Sequence, residues 1–492
     1  MGHSSWKYSF WKYSSRVICS SVVLAAMLFS LPQSANARDT SKAAERGAAV
    51  LTPSILTPSI LTPSILTPYG AERKGNKKGT IPEWTGGITQ SDIPKEYSKP
   101  GQYHPNPYKD DKPLYKITAD NMQLHTEKLS VGLQGLLKTY PKTFYVPVYA
   151  TRRSASAPQR IYDNIAKNRL TAELTNAGSG ISNAFGGVAF PLPYNESGEV
   201  EPLKILWNHL TRWRGVYVKS RSADVVVQKN GAYSLVTSER EYDFLYYHED
   251  GDFNGLANRL YNSLLFIKSP ARMAGGALLV QETIDQLKDS RRVWGYSSTQ
   301  RRVRKAPVLT YDTLTPSAEG LVTIDDLGMF NGSPDHFDWT FVGKREMLIP
   351  YNNYALDDPS LKHETLLMKG HVDPASTRYE LHRVWVIEAT VKDNISHLYS
   401  RRMYYVDEDS WSIALVDQYD AQGGLWRTTI AYLMNFYEVP ALWSVMNVYH
   451  DLVSERYFAS LLDADVERSM VFDDKAPPPQ YFKPAALRRR GR

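Results

Sequence analysis

Residues 379–419, YELHRVWVIEATVKDNISHLYSRRMYYVDEDSWSIALVDQY, decide the fold. The stretch reads as three consecutive antiparallel strands. In the first, Tyr379, Leu381, Arg383, Trp385, Ile387, Ala389 and Val391 alternate onto one face, with Val384 and Val386 on the other. β-Branched and aromatic residues at period two suit a pleated surface and argue against a helix. Lys392-Asp393-Asn394 reverses the chain, and 397–406 returns beside the first strand. Asp407-Glu408-Asp409-Ser410 builds a second turn, from which 411–419 runs back. Aromatic and charged residues share these strands, which predicts a broad curved sheet lined by Trp, Tyr and Arg.

Outward from this centre, strands dominate in hairpin-compatible order. Residues 144–151, 216–228, 233–237, 241–248, 277–285, 291–297, 303–308 and 338–342 alternate before it, and 426–437, 457–462 and 466–472 after it. Helical spacing is confined to 117–140, 159–170, 202–214 and 258–264. The first of these carries Met122, Leu124, Leu129, Leu133, Leu136 and Leu137. The glycine-rich 178–187 reads as mobile, and 477–492 as a tail. The pattern predicts an α+β fold with a large curved antiparallel sheet. A sheet of so many strands curls or closes, and helices covering its concave side leave an apolar groove.

The N-terminal region has a different character. Basic residues up to Arg16 precede the apolar run 17–31, and Ala35-Asn36-Ala37 follows, the plan of a cleavable secretory signal. Cys19, the single cysteine, stands at the start of the apolar run, unlike a lipoprotein cysteine, so a soluble exported protein without disulfides is expected. No later stretch is long and apolar enough to span a bilayer. Losing Lys7, Lys12 and Arg16 takes three positive charges from the formal +6, leaving no argument for nucleic acid. LTPSI then repeats three times over 51–65; a proline every five residues forbids a helix and makes an extended connector. The predicted organisation is a signal over 1–37, a short helix, connector and irregular surface wrap over 38–113, a β-rich domain with lid helices over 114–475, and a basic tail over 476–492.

Catalytic signatures are missing: there is no G-x-S-x-G, H-E-x-x-H, P-loop or G-x-G-x-x-G after a strand. Asp250-Gly251-Asp252-Phe253-Asn254-Gly255 matches the first half of a calcium loop, but position 12 is Tyr261 where a bidentate Glu belongs, so a polar turn is expected and no metal. His382, Arg383, Glu388, Arg401 and Arg402 fit cross-strand ion pairs better than catalysis. Arg301-Arg302-Val303-Arg304-Lys305 follows a strand bearing Trp294 and Tyr296. It is either a solvated edge strand or an anion clamp, since guanidinium forks match carboxylate and phosphate oxygens.

Several stretches taken together resemble a known family: LTPYGAERKGN (66–76), SRRVWGYSSTQRRVRKAPVLTYDT (290–313), DDLGMFNGSPDHFDWTFVGKREMLIPYNN (325–353), YELHRVWVIEAT (379–390) and YYVDEDSW (404–411). The family is the bacterial envelope domain of unknown function 1329, grouped with LolA/LolB-like lipoprotein carriers. The resemblance implies a half-open β-barrel with a helical lid that holds acyl chains, in the periplasm of Gram-negative bacteria. It also implies a neighbourhood of RND-type permeases and outer-membrane proteins.

The reading that follows is a periplasmic binding or carrier protein for an apolar or amphiphilic molecule, non-catalytic and without a cofactor. Trp207, Trp213, Trp294, Tyr296, Trp339, Phe341, Trp385 and Tyr404 are the expected groove residues, with Arg302 or Arg304 on a polar head. Two alternatives stand beside it. One is an envelope lipid or ester hydrolase using His382 or His397 with a carboxylate. The other is a structural adaptor of an export pump, recognisable by an apolar patch outside the groove.

Overall fold

A computed structural model describes residues 65–306, 312–463 and 470–490. The signal-like segment, the predicted first helix, the LTPSI repeat up to residue 64 and residues 466–469 of the last predicted strand lie outside the described residues. The first elements are β1 (Tyr115–Ile117), α1 (Val131–Thr139), β2 (Val146–Val148), α2 (Gln159–Thr171), a small hairpin of β3 (Glu173–Thr175) and β4 (Gly180–Ser182), and α3 (Pro202–Leu210). A meander follows: β5 (Tyr217–Val227), β6 (Tyr233–Asp243), β7 (Arg259–Ser269), β8 (Ala277–Thr283), β9 (Arg292–Ser297) and β10 (Arg302–Lys305). β11 (Phe337–Pro350) and the single turn α4 (His363–Leu366) lead to the centre, which is β12 (Tyr379–Val391), β13 (Arg401–Asp407) and β14 (Ile413–Tyr419). β15 (Leu425–Phe436), β16 (Ala441–Asp451), β17 (Arg456–Leu462), β18 (Val471–Asp473) and α5 (Pro484–Arg490) complete the order.

Among the described residues sixteen strands form one sheet. β12–β17 and β5–β10 are two antiparallel meanders joined where β17 pairs with β5. β11 pairs with β12 along its length, and among the described residues the only parallel strand pairing is Tyr379 to Val148. The strand path runs from β1 to β10 without closing, in keeping with the α+β expectation. α1 packs on β14 and β15, α3 on β11, and α5 on β8 to β10. The middle of the sheet is the core. Every residue of β14 and β16 is buried, so both faces of these strands are covered.

Four readings are corrected. The 117–140 helix is two pieces, a 3-10 segment Met122–Lys128 and α1. The break falls at Ser130, whose Oγ accepts the Leu133 N–H at 3.1 Å and so starts α1 afresh. Of the predicted helix 258–264, residues 259–264 belong to strand β7; Leu260 and Leu264 fit helical spacing and strand alternation equally. β16 was not foreseen, because the β15–β16 register slips at Tyr432/Leu433 and a residue of β16 bulges there, which breaks period two. The C-terminal tail contains α5 and the 3-10 segment Pro479–Phe482, with Phe482 and Leu487 buried. The segment 65–113 is irregular as expected, yet Tyr69, Ala71, Ile81, Trp84 and His104 are buried in it.

One close approach gives a direct test. A Cβ on Gly132 would collide with Thr428 Oγ1 and Asp417 Oδ1, where the first turn of α1 meets β14 and β15. Gly132→Ala is therefore expected to destabilise by about 1–3 kcal/mol, although alanine is the better helix former. A urea midpoint equal to or above wild type would refute this packing.

Candidate functional site

Five strands set the site. Because β5 to β9 are successive hairpins, their register carries one rung across the sheet as Val218, Tyr242, Ser263, Val280 and Val293. A second rung is Ser220, Arg240, Leu265, Leu278 and Gly295. Period two places both on one face. Val218, Ser220 and Arg240 are buried, Tyr242, Ser263, Leu265, Val280 and Val293 are half-buried, and Leu278 is 38% exposed. Ile267 extends the half-buried row, and a Cβ on Gly295 would meet nothing within 4 Å. The outcome is an apolar shelf, enclosed at β5 and open toward β9. Its reverse side is closed, where Leu264, Phe266, Ala277, Leu279 and Tyr296 pack with Phe482 and Leu487.

At the enclosed end stand Arg212 and Arg214, on the link from α3 to β5. The Arg214 guanidinium lies over Phe244, Tyr261 and Trp443 at 4.6, 5.9 and 6.0 Å. Tyr242 joins these rings, stacked on Phe244 at 5.8 Å and edge-on to Trp443 at 5.7 Å. Tyr242 also belongs to the first rung, so ring box and shelf are continuous. Arg212 donates to the His209 carbonyl and Arg214 to the Leu210 carbonyl at 3.2 Å. Burial, then the Arg214 charge, pull the Arg212 pKa well down; a guanidinium nonetheless keeps its proton. Burial, then these two arginines, also push His209 well below the usual imidazole range, so it is neutral and offers no negative charge.

A second feature unites four of the five family-like stretches in one buried polar knot. Arg153 forks onto Asp409 at 2.9 and 2.6 Å and donates to the carbonyls of Glu72, Arg73 and Pro82. Lys344 bridges Glu72 and Glu408, and Trp411 donates to the Tyr69 carbonyl at 2.9 Å. His382 stacks on Tyr351 at 4.0 Å, with Glu380, Asp407 and Asp409 around it. His382, Asp407 and Asp409 bring ligand atoms within 4.8 Å of one another. Burial disfavours a charged His382, but Asp409 and Glu380 overcome it and raise its pKa to about 9. The cluster thus holds an imidazolium and a guanidinium, and its cations are already supplied. His397 is likewise engaged, 3.1 Å from Asp325, which Arg402 also holds at 2.7 Å.

The ten residues expected at a groove are dispersed. Trp207 and Trp213 are buried, their indoles donating to the carbonyls of Gly178 and Val439. Trp339 and Tyr404 stack at 5.7 Å, and Phe341 meets Trp385 at 5.8 Å. Tyr404 and Trp385 are buried, while Trp339 and Phe341 keep some surface. Trp294 and Tyr296 lie on the closed face against the C-terminal segment. Arg302 and Arg304 are exposed on β10, at the end of the strand path. These pairs do not converge on one groove. Asp252 caps its own turn, accepting the Gly255 N–H at 2.7 Å, and Tyr261 joins the ring box. A surface cleft of about 950 Å³ beside α2, lined among others by Arg160, Asn164, Phe185 and Tyr247, contains none of the ten.

Arg212, Arg214, Tyr242 and Leu278 were not singled out from sequence, and Tyr261 entered only as the misfit at position 12 of the calcium-like turn. One signal for the arginines was present: His209, Arg212 and Arg214 fall in a run, 202–223, that contains no acid.

Fold and site define an α+β protein built on a wide, unclosed sheet with one partly uncovered apolar face. Within that class the chain belongs to the DUF1329 family, described as a protein of unknown function, whose pattern matches residues 116–488. It is 39% identical over 422 residues to the uncharacterized protein PA3922 of Pseudomonas aeruginosa, covering 86% of this chain and 90% of that one. Among solved structures it is similar to a putative outer membrane lipoprotein-sorting protein domain from Vibrio parahaemolyticus, at TM-score 0.41 and 11% identity over 58% of this chain and 97% of that one. It is also similar to a DUF1329 family protein from Desulfovibrio piger, at TM-score 0.38 and 13% identity over 56% and 92%. Among the described residues no helix is long and apolar enough to cross a membrane.

Proposed function

We propose that this protein is a periplasmic binding or carrier protein for an apolar or amphiphilic, lipid-like molecule, working in envelope transport. The observation that carries the reading is the shelf: Leu265, Ile267, Leu278, Val280 and Val293 form a contiguous apolar row that retains accessible surface. Burying each methylene there contributes about 0.8 kcal/mol, so an acyl chain of about a dozen carbons supplies on the order of 10 kcal/mol before ordering costs. The export signal read in residues 1–37 supports the compartment. The family resemblance makes an RND-type permease or an outer-membrane protein the partner to seek.

Native mass spectrometry of the purified full chain is expected to find a chemically unchanged lipid. Leu278→Asp places a carboxylate on the open rung and is expected to cut the bound fraction by about tenfold, since an uncompensated charge repels apolar contact. Wild-type protein that carries no lipid and takes up none when oleate or oleyl alcohol is added would overturn the reading. Recovery of hydrolysed lipid would replace it with the hydrolase.

A further inference from the structure

We propose that Arg212 and Arg214 receive the oxyanion of the bound amphiphile, a carboxylate or phosphate at the head of an acyl chain that lies along the β6–β9 shelf. The inference rests on the binding reading above and assigns its head-group site.

Arg153, Arg240, Arg378, Arg383, Arg402 and Arg427 are buried, and each has an Asp or Glu within 2.5–3.4 Å. Arg212 is equally buried, yet its hydrogen bonds go to the carbonyl and the neutral ring of His209. Arg214 bonds the Leu210 carbonyl. The Nε of each has no hydrogen-bond partner among the described residues. Uncompensated charge in a protein interior is costly, and buried charges are normally paired. The rings over Arg214 offset part of that cost through cation–π attraction, and among the described residues no ring lies under Arg212. Two adjacent guanidiniums with no ion-paired Asp or Glu among the described residues are therefore matched to an anion brought from outside, and their planar forks suit a carboxylate or a phosphate.

Placement argues the same way. Arg214 and Tyr261 are half-buried and keep some accessible surface. Tyr261 lies 5.9 Å from the Arg214 guanidinium, and Tyr242 carries the ring box into the first apolar rung. A head at the arginines puts the tail on Leu265, Leu278 and Val280. Arg302 and Arg304 share the open face, Arg304 standing opposite Gly295 at the far end of the second rung, but they are exposed there and the ring box lies at the other end.

The test titrates oleate, 1-oleoyl-lysophosphatidate and oleyl alcohol into delipidated full-length protein, followed by isothermal calorimetry. Wild type is expected to bind at least one of the two anions about tenfold or more tighter than the alcohol, the range of a charge-assisted hydrogen bond. The tighter anion identifies the head. Arg214→Met and Arg212→Met are expected to bring that anion down to the affinity of the alcohol measured on the same variant. Neither variant should lower the thermal midpoint of lipid-free protein, because each removes an unpaired charge. Equal wild-type affinity for all three ligands would overturn this inference and leave the binding reading standing, and that comparison needs no variant. An unchanged preference in both variants would also overturn it. Binding of none of the three would remove the binding reading itself.

Discussion

Replacing Arg153 by Met is expected to lower stability by about 3–5 kcal/mol, the range for breaking a buried ion pair from one side. Burial alone would raise the Asp409 pKa, but the Arg153 fork, with His382, holds that carboxylate well below its usual range. Without Arg153 the carboxylate stays buried beside Asp407 and Glu408. Asp407 is already pushed up to about 6, by burial first. The same guanidinium ties down the carbonyls of Glu72, Arg73 and Pro82, so the loss also frees the 65–88 segment from the turn after β13. Urea unfolding of Arg153→Met measures the first effect, and earlier tryptic cleavage near Arg73 to Lys78 the second. The double variant Arg153→Met with Asp409→Leu removes both charges and should recover part of the loss. A single variant within 1 kcal/mol of wild type would show that the knot contributes nothing.

That knot also marks how far sequence reasoning reaches. Asp407-Glu408-Asp409 was legible as a reversal, and it is one: Asp407 and Ser412 close it, with the Trp411 N–H donating to the Asp407 carbonyl at 2.9 Å. What the pattern withheld is that the turn is buried. Its partners Glu72, Arg153, Lys344 and His382 come from four distant places in the chain, and spacing along one strand says nothing about them. The same limit governs the aromatics. Period two correctly put Trp385 and Ile387 on one face of β12, but both faces of that strand are covered, so strand membership did not separate lining from packing. The meander β5–β10 was largely readable as hairpins. The shelf was not, because its exposure depends on where the C-terminal segment docks, and Phe482 and Leu487 choose the other face. The ring box adds Trp443 from β16, the strand hidden by its bulge.

Stability is expected to fall as pH rises from about 6 to 9, and His104 should account for a large share. Burial works against a charged ring, but the hydrogen bonds it donates to Asp357 at 2.8 Å and Glu438 at 3.0 Å outweigh it and raise the pKa from 6.5 to about 9. A folded-state pKa above the unfolded value means that the contribution is complete below pH 6.5 and is lost as pH climbs through 9. The shift corresponds to on the order of 3 kcal/mol for this buried ring. His382, raised to about 9 by Asp409 and Glu380 against burial, acts in the same window and the same direction. Asp417, pushed up to about 6 by burial, favours the folded state only while protonated, so its contribution is lost over the lower interval between 3.8 and 6. All three place the optimum on the acidic side. The His104 effect is separable because its ring stacks on Tyr97 at 5.2 Å and fastens the N-terminal wrap to Asp357. Urea midpoints of wild type and His104→Gln, taken at pH 6 and pH 9, should differ widely at the lower pH and converge at the higher. Parallel losses in the two proteins would mean that His104 is not charged in the folded state, and the ion triad would then have to be redrawn around a neutral ring.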